Sequence, residues 1–301
     1  MTVSYEAAVN AEGGLERDAS RAIVPWWSFT KTLIAACALR LAEDGHLALD
    51  RPLLDLPYTL RQLLQHRAGI GNYGGLRDYH EAVARGDAPW SDDELFARVP
   101  ADRLLFPPGT GWSYSNVGYL IVRRAIEGAC GSGLDEALRG LVLAPLGLGV
   151  ARLAETAADM RLIVFGTGRD YDPGWVFHGV VIGPVAEAAL ALHRLLDGGL
   201  LTPASRAALL DRHPIGGALE GRPWTTTGYG LGLMTGTMIR PEMAEPLPVA
   251  GHSAGGPGSV GAVYRSVGRN RARTAAVFVA GSDEGIAEDR ALALLIDAGA
   301  A

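Results

Sequence analysis

The chain has 301 residues, 48% of them hydrophobic, with 27 basic against 33 acidic side chains and a formal net charge of −6. Such a chain buries a sizeable core in one large domain or two lobes, and its scattered cations exclude the basic patch that nucleic acid requires. Two cysteines, Cys37 and Cys130, make neither a disulfide framework nor a metal-ligand spacing; no metal and no cofactor is implied. No apolar run approaches the roughly eighteen residues of a membrane span, and residues 1–10 lack a basic stretch followed by an apolar one. A cytoplasmic protein without a membrane partner is expected.

In chain order, Val3 to Asn10 and Leu15 to Arg21, joined by Gly13-Gly14, read as two short strands. Leu33 to Ala42 is apolar on nearly every face and rich in helix formers, which predicts a helix through a core, ending near Asp44-Gly45. Helical signals then dominate to about residue 210. Thr59 can cap a helix whose Leu60, Leu63 and Leu64 share a face, and Ser91 with Glu94 forms a capping-box pattern. Val117–Glu127, Leu134–Leu141 and Val185–Asp197 have helical periodicity, and Thr202-Pro203 opens another helix. Leu231–Met238, Ser259–Ser266 and Thr274–Ala280 read as strands, and Ile286–Ile296 as a closing helix.

Strands at both ends with helices between predict an α/β protein of the α+β type. One antiparallel sheet from both chain ends is flanked by helices, beside a helical lobe. The expected organisation is a single domain, residues 1–301, with a sheet lobe at about 1–55 and 215–301 and a helical lobe at about 56–214. A cleft is expected at the N-terminal end of the buried helix.

The chemistry concentrates there. Ser28 stands at the first turn of that helix, and Lys31, three residues on, projects from the same side. The chain holds 26 arginines and one lysine, Lys31. A guanidinium keeps its proton, whereas a buried ammonium loses one readily, as a general base must. Tyr114 and Asn116 place a phenol and a carboxamide on the turn-rich loop after Phe106-Pro107-Pro108-Gly109. Gly251-His252-Ser253-Ala254-Gly255 contains a literal G-x-S-x-G elbow, but Gly-Gly-Pro-Gly follows where a helix is required, and no histidine lies downstream. His66, His178 and His193 show no ligand spacing and receive no role. Trp26, Trp27, Trp112 and Tyr229 lie near the motifs and suit either pocket walls or core.

In this order, Ser28-x-x-Lys31, Tyr114-x-Asn116 and His252-Ser253-Ala254 resemble the three motifs of the serine β-lactamase and penicillin-binding-protein superfamily. The nearest branch is the class C-like group of β-lactamases, esterases and D-amino-acid peptidases. Tyr58 to His66 with Gly69-Ile70, Pro145-Leu146-Gly147-Leu148 and Gly228 to Gly232 are similar to further family segments. The resemblance implies the β-lactamase/transpeptidase-like fold and a small-molecule ester or amide as substrate. It also implies that Ser28 is acylated while Lys31 and Tyr114 exchange its proton and the leaving group's. Asn116, His252, Ser253 and Gly255 would contact substrate, with the N–H groups of Ser28 and Gly255 forming an oxyanion hole. His252 stands where lysine is usual and Ala254 where glycine is, so the site lacks a fixed cation for a substrate carboxylate. That implies neutral esters or amides rather than β-lactams. An acyltransferase, or a penicillin-recognising module without turnover, are the alternative readings.

Overall fold

The computed structural model describes residues 3–18, 21–53, 56–268 and 271–296; Ala19 and Ser20, within the second expected strand, lie outside them. The elements are β1 (Ser4–Val9), β2 (Leu15–Asp18), β3 (Ile23–Pro25), α1 (Thr30–Glu43), α2 (Leu60–Leu64), α3 (Arg77–Arg85), α4 (Asp92–Arg98), α5 (Asn116–Cys130), α6 (Leu134–Leu138), β4 (Arg152–Leu153), α7 (Ala157–Met160), β5 (Val181–Pro184), α8 (Val185–Asp197), α9 (Pro203–Leu210), β6 (His213–Gly216), β7 (Trp224–Tyr229), β8 (Met234–Met238), β9 (Leu247–Gly256), β10 (Ser259–Ser266), β11 (Thr274–Ala280) and α10 (Glu284–Ile296).

Both chain ends join one eight-stranded antiparallel sheet in the order β2-β1-β11-β10-β9-β8-β7-β6. Period-two alternation sorts its side chains into two cores. Val249, Val260, Ala262, Tyr264, Val277 and Val279 face α10, whose Ala287, Ala291 and Leu292 are fully buried. Ala250, Ala254, Val263, Ala276 and Phe278 face the larger core that encloses α1. From Leu33 to Ala38 every side chain of α1 is fully buried, as expected of a helix with no polar stripe.

A second sheet of three short strands, β3-β5-β4, sits beside the start of α1. α8 packs on β1, β10 and β11, because its Val185, Ala188, Ala189, Leu192 and Leu195 form an apolar face that the sheet covers. The strands β6, β7 and β9 are not apparent as strands in the sequence, and β8 is shorter than the expected Leu231–Met238. Glycines and prolines disguise them, and pairing with neighbours overrides the weak local preference.

One register detail sets up the site. β9 pairs with β8 only over Leu247–Gly251, but with β10 over Val249–Gly256. Residues 252–256 therefore leave one backbone edge open, beside the turn that carries Ser28. No helix among the described residues is long and apolar enough to cross a membrane.

Candidate active site

Ser28 lies in a tight turn, Trp27–Phe29, that leads directly into α1. Trp27 adopts φ 38, a left-handed conformation that bulky residues avoid. Its surroundings hold it there. The indole N–H donates to Ser259 Oγ at 3.0 Å, and the ring lies against Gly256, where a Cβ would come within 2.5 Å of it. On either side, Trp26 N–H donates to Val181 O at 2.8 Å and Thr32 Oγ1 donates to Gly232 O at 2.6 Å. The turn is pinned to both sheets and aims Ser28 Oγ outward.

Lys31 is fully buried, with Nζ 3.2 Å from Ser28 Oγ. Burial lowers its pKa well below the usual lysine value. The neutral amine can accept the hydroxyl proton. On the other side, Tyr114 Oη donates to the same Ser28 Oγ at 2.9 Å, and Lys31 Nζ lies 5.0 Å from the Tyr114 ring centroid. Burial raises the phenol's pKa, and hydrogen bonding to Ser28 opposes that rise. Tyr114 therefore keeps its proton until a neighbouring charge draws it off.

Two histidines without a ligand spacing belong to the site. His178 Nε2 lies 2.9 Å from Lys31 Nζ, so the amine is held between a hydroxyl and an imidazole. Burial, and then the charge that Lys31 carries when protonated, lower the His178 pKa well below the ordinary value, so the imidazole adds no cation beside the amine. His66 seats the Tyr114 loop. Its Nδ1 accepts Ser115 N–H at 3.1 Å and its carbonyl accepts Ser113 N–H at 3.0 Å. Its ring packs 4.2 Å from that of Tyr114. Nothing in sequence spacing singles out His178, which lies in an irregular loop. His66 sits in a segment of family resemblance, yet its spacing assigns it no role.

Ser115 caps α5, accepting Gly118 N–H at 2.9 Å, and so places Asn116 at the first position of that helix. Asn116 lines both cavities that meet at Ser28. His252 is buried and neutral. Its Nδ1 faces Ser253 O at 2.5 Å and so holds the proton, while Nε2 accepts Tyr229 Oη at 2.7 Å. Burial, with the Lys31 charge, takes its pKa down to about 3. The position usual for a lysine thus presents no positive charge.

Ser253 lies on β9, in extended backbone rather than at a strand-to-helix turn. Its hydroxyl is bonded to Tyr264 Oη at 2.6 Å and to Glu288. That excludes it as an elbow nucleophile, although the residue borders the larger cavity. Gly255 follows on the open edge of β9 and borders both cavities.

The larger cavity, about 460 Å³, has walls that include Trp112, Tyr114, Tyr229, Met234, Arg222 and Glu284. The smaller, about 130 Å³, is lined by Trp27, Tyr73, Tyr79, Tyr171, Val176 and His178 among others. A cleft of 470 Å³ around Arg40 and Arg194 shares no wall with this chemistry, and both guanidinium groups there donate to backbone carbonyls.

A sheet that sandwiches a buried helix, with serine, lysine and tyrosine converging at the helix start, defines the class of serine β-lactamase-like proteins. The profile of the Beta-lactamase family matches residues 9–301, and the chain belongs to that family. It is 29% identical over 239 residues to penicillin-binding protein 4 of Amycolatopsis lactamdurans, covering 68% of this chain and 60% of that protein. It is 30% identical over 163 residues to esterase EstB of Burkholderia gladioli, covering 46% of this chain and 41% of that protein. The chain thus matches less than two thirds of the length of either relative. Among solved structures, a D-stereospecific amidohydrolase from Streptomyces sp. superposes with a TM-score of 0.74 at 20% identity, over 99% of this chain and 94% of the other. The D-amino acid amidase of Ochrobactrum anthropi SV3 gives 0.75 at 19% identity, over 93% and 88%. Those likenesses establish the shared fold.

Proposed function

We propose that the chain is a serine hydrolase that forms an acyl-enzyme at Ser28 and hydrolyses a small ester or amide. The observation that supports this best is the position of Ser28 Oγ, 3.2 Å from a fully buried amine and 2.9 Å from a phenol. Lys31 takes the Ser28 proton as Oγ attacks the substrate carbonyl, and the N–H groups of Ser28 and Gly255 hold the resulting oxyanion. The proton passes from Lys31 through Tyr114 to the departing oxygen or nitrogen, whose bond to the carbonyl carbon breaks. Water then attacks the Ser28 ester, gives a proton to the same pair and leaves as part of the free acid, restoring the Ser28 hydroxyl. Asn116 holds the substrate amide or carbonyl.

The relatives named esterase and penicillin-binding protein, and the structural neighbours named amidohydrolase and amidase, support this range of acyl groups. The neutral His252 argues for substrates without a carboxylate at that position, and so for weak or no β-lactam turnover. In this reading residues 1–301 act as one unit whose sheet and helical parts meet at Ser28. Intact-mass spectrometry after treatment with a serine-directed phosphonate tests the reading. One adduct on the wild type, lost in Ser28→Ala together with p-nitrophenyl ester hydrolysis, is expected. No adduct, or one that maps to Ser253, contradicts it.

A further inference from the structure

Two charged groups in the larger cavity have no part in the proton transfers above. Arg222, in the connection between β6 and β7, and Glu284, the first residue of α10, both line it. The guanidinium is fully engaged. Its Nε donates to Glu288 Oε2 at 2.7 Å, its Nη2 donates to Glu288 Oε1, and its Nη1 lies 2.8 Å from Glu284 Oε2. Glu288 is completely buried and also accepts the Trp224 indole N–H at 2.9 Å. Two carboxylates therefore share one guanidinium.

The surplus faces the reaction site. Glu284 Oε1 accepts no hydrogen bond from any described residue, and it lies 2.9 Å from where a Cβ on Gly255 would stand. With glycine at 255, the carboxylate end lies against the β9 backbone at a point that a Cβ would crowd. Partial burial raises the Glu284 pKa and Arg222 opposes that rise, with 35% of the side chain still exposed, so a second cation in the cavity would add to that opposition. The charge also contributes to the raised pKa of Tyr114, so the phenol feels it. The aromatic rings of Trp112, Tyr114 and Tyr229, with Leu219 and Met234, line the same cavity. His252, whose pKa burial takes down to about 3, does not offset it, and burial drives Lys31 toward its neutral form. A carboxylate oxygen without a donor, in an aromatic-walled cavity, is the environment that attracts an organic ammonium.

The half of the substrate that meets Glu284 follows from the proton path. Tyr114, which delivers a proton to the departing atom, lines the larger cavity, whereas Trp27, Tyr73, Tyr79 and Tyr171 line the smaller. The geometry points to a leaving group that carries an ammonium, held by Glu284 in the larger cavity, with an apolar or aromatic acyl group in the smaller compartment. This rests on the acyl-enzyme reading of Ser28.

A matched pair of thioesters tests it: phenylacetylthiocholine and its uncharged isostere S-(3,3-dimethylbutyl) phenylthioacetate, read by thiol release. The wild type is expected to favour the cation in kcat/KM by about tenfold or more, as a charge-assisted contact would give. Glu284→Gln is expected to bring the ratio to about one. A wild-type ratio near one, a ratio unchanged in Glu284→Gln, or an equal loss for both thioesters overturns the inference while leaving the hydrolase reading in place. Binding of choline against 3,3-dimethylbutan-1-ol to the wild type, followed by ligand-observed NMR, needs neither turnover nor a variant. Choline is expected to bind at least about tenfold more tightly. Equal binding overturns the inference even where no thioester is cleaved, and failure of cleavage alone contradicts only the hydrolase reading.

Discussion

His178 Nε2 stands 2.9 Å from Lys31 Nζ, which also lies 3.2 Å from Ser28 Oγ. Among the described residues neither group has a carboxylate partner, and both are driven toward their neutral forms, first by burial. The imidazole therefore positions the amine without lending it charge. His178→Ala should leave Lys31 free to swing from Ser28. The expected result is a fall of about tenfold to a hundredfold in kcat, with a smaller change in KM. Phosphonate labelling of Ser28 should slow in parallel. Labelling at the wild-type rate would show that Ser28 and Tyr114 alone fix the amine.

Gly256 is where the open edge of β9 admits the Trp27 indole. A Cβ there would lie within 2.5 Å of the ring, and Trp27 already holds a left-handed backbone. Gly256→Ala should destabilise the fold by about 1–3 kcal/mol, as overpacking does, and should displace the Ser28 turn. Denaturant melts and labelling rates on one preparation check both effects. A loss of stability with unchanged labelling would separate Trp27 packing from the placement of Ser28.

Lys31→Met removes the buried amine and keeps a chain of similar length. Activity should vanish while the variant folds as stably as the wild type or more so near neutral pH, because no polar group is left to desolvate. The difference should depend on pH. The folded-state pKa of Lys31 is lowered, so between that value and 10.5 the unfolded wild type binds one more proton than the folded one. Wild-type stability then rises with pH relative to the variant, by about 1.4 kcal/mol per unit inside that window, and the advantage of Lys31→Met shrinks accordingly. Urea unfolding of both proteins across alkaline pH measures the slope. Parallel stability curves would show that Lys31 titrates alike in both states.

What is legible in the sequence follows from how local each signal is. The α1 helix, its lone lysine and the Ser28 spacing are contained in sixteen residues of chain, 28–43, and an apolar run of helix formers that long has one reading. Tyr114 and Asn116 need the family pattern to stand out from an ordinary helix start, and Ser115 rather than Asn116 provides the cap. His178, Arg222 and Glu284 reach the cleft from a loop, a turn and the start of the last helix. Each is placed by packing between segments distant in sequence, so no spacing marks it. β7 and β9 are hidden for a related reason: Gly228, Gly251 and Gly255 weaken strand propensity, and at Gly251 a Cβ would come within 2.0 Å of Val263 O, an approach that only glycine allows.

A single lysine makes the central claim directly measurable. With the side-chain amine of lysine labelled with nitrogen-15, the chain gives one amine resonance, from Lys31. Its titration midpoint in the folded protein is expected well below the ordinary lysine value of 10.5, and the acidic limb of Ser28 phosphonylation should follow the same midpoint. An amine that titrates near 10.5 would mean that Lys31 is charged at neutral pH and cannot draw the proton from Ser28.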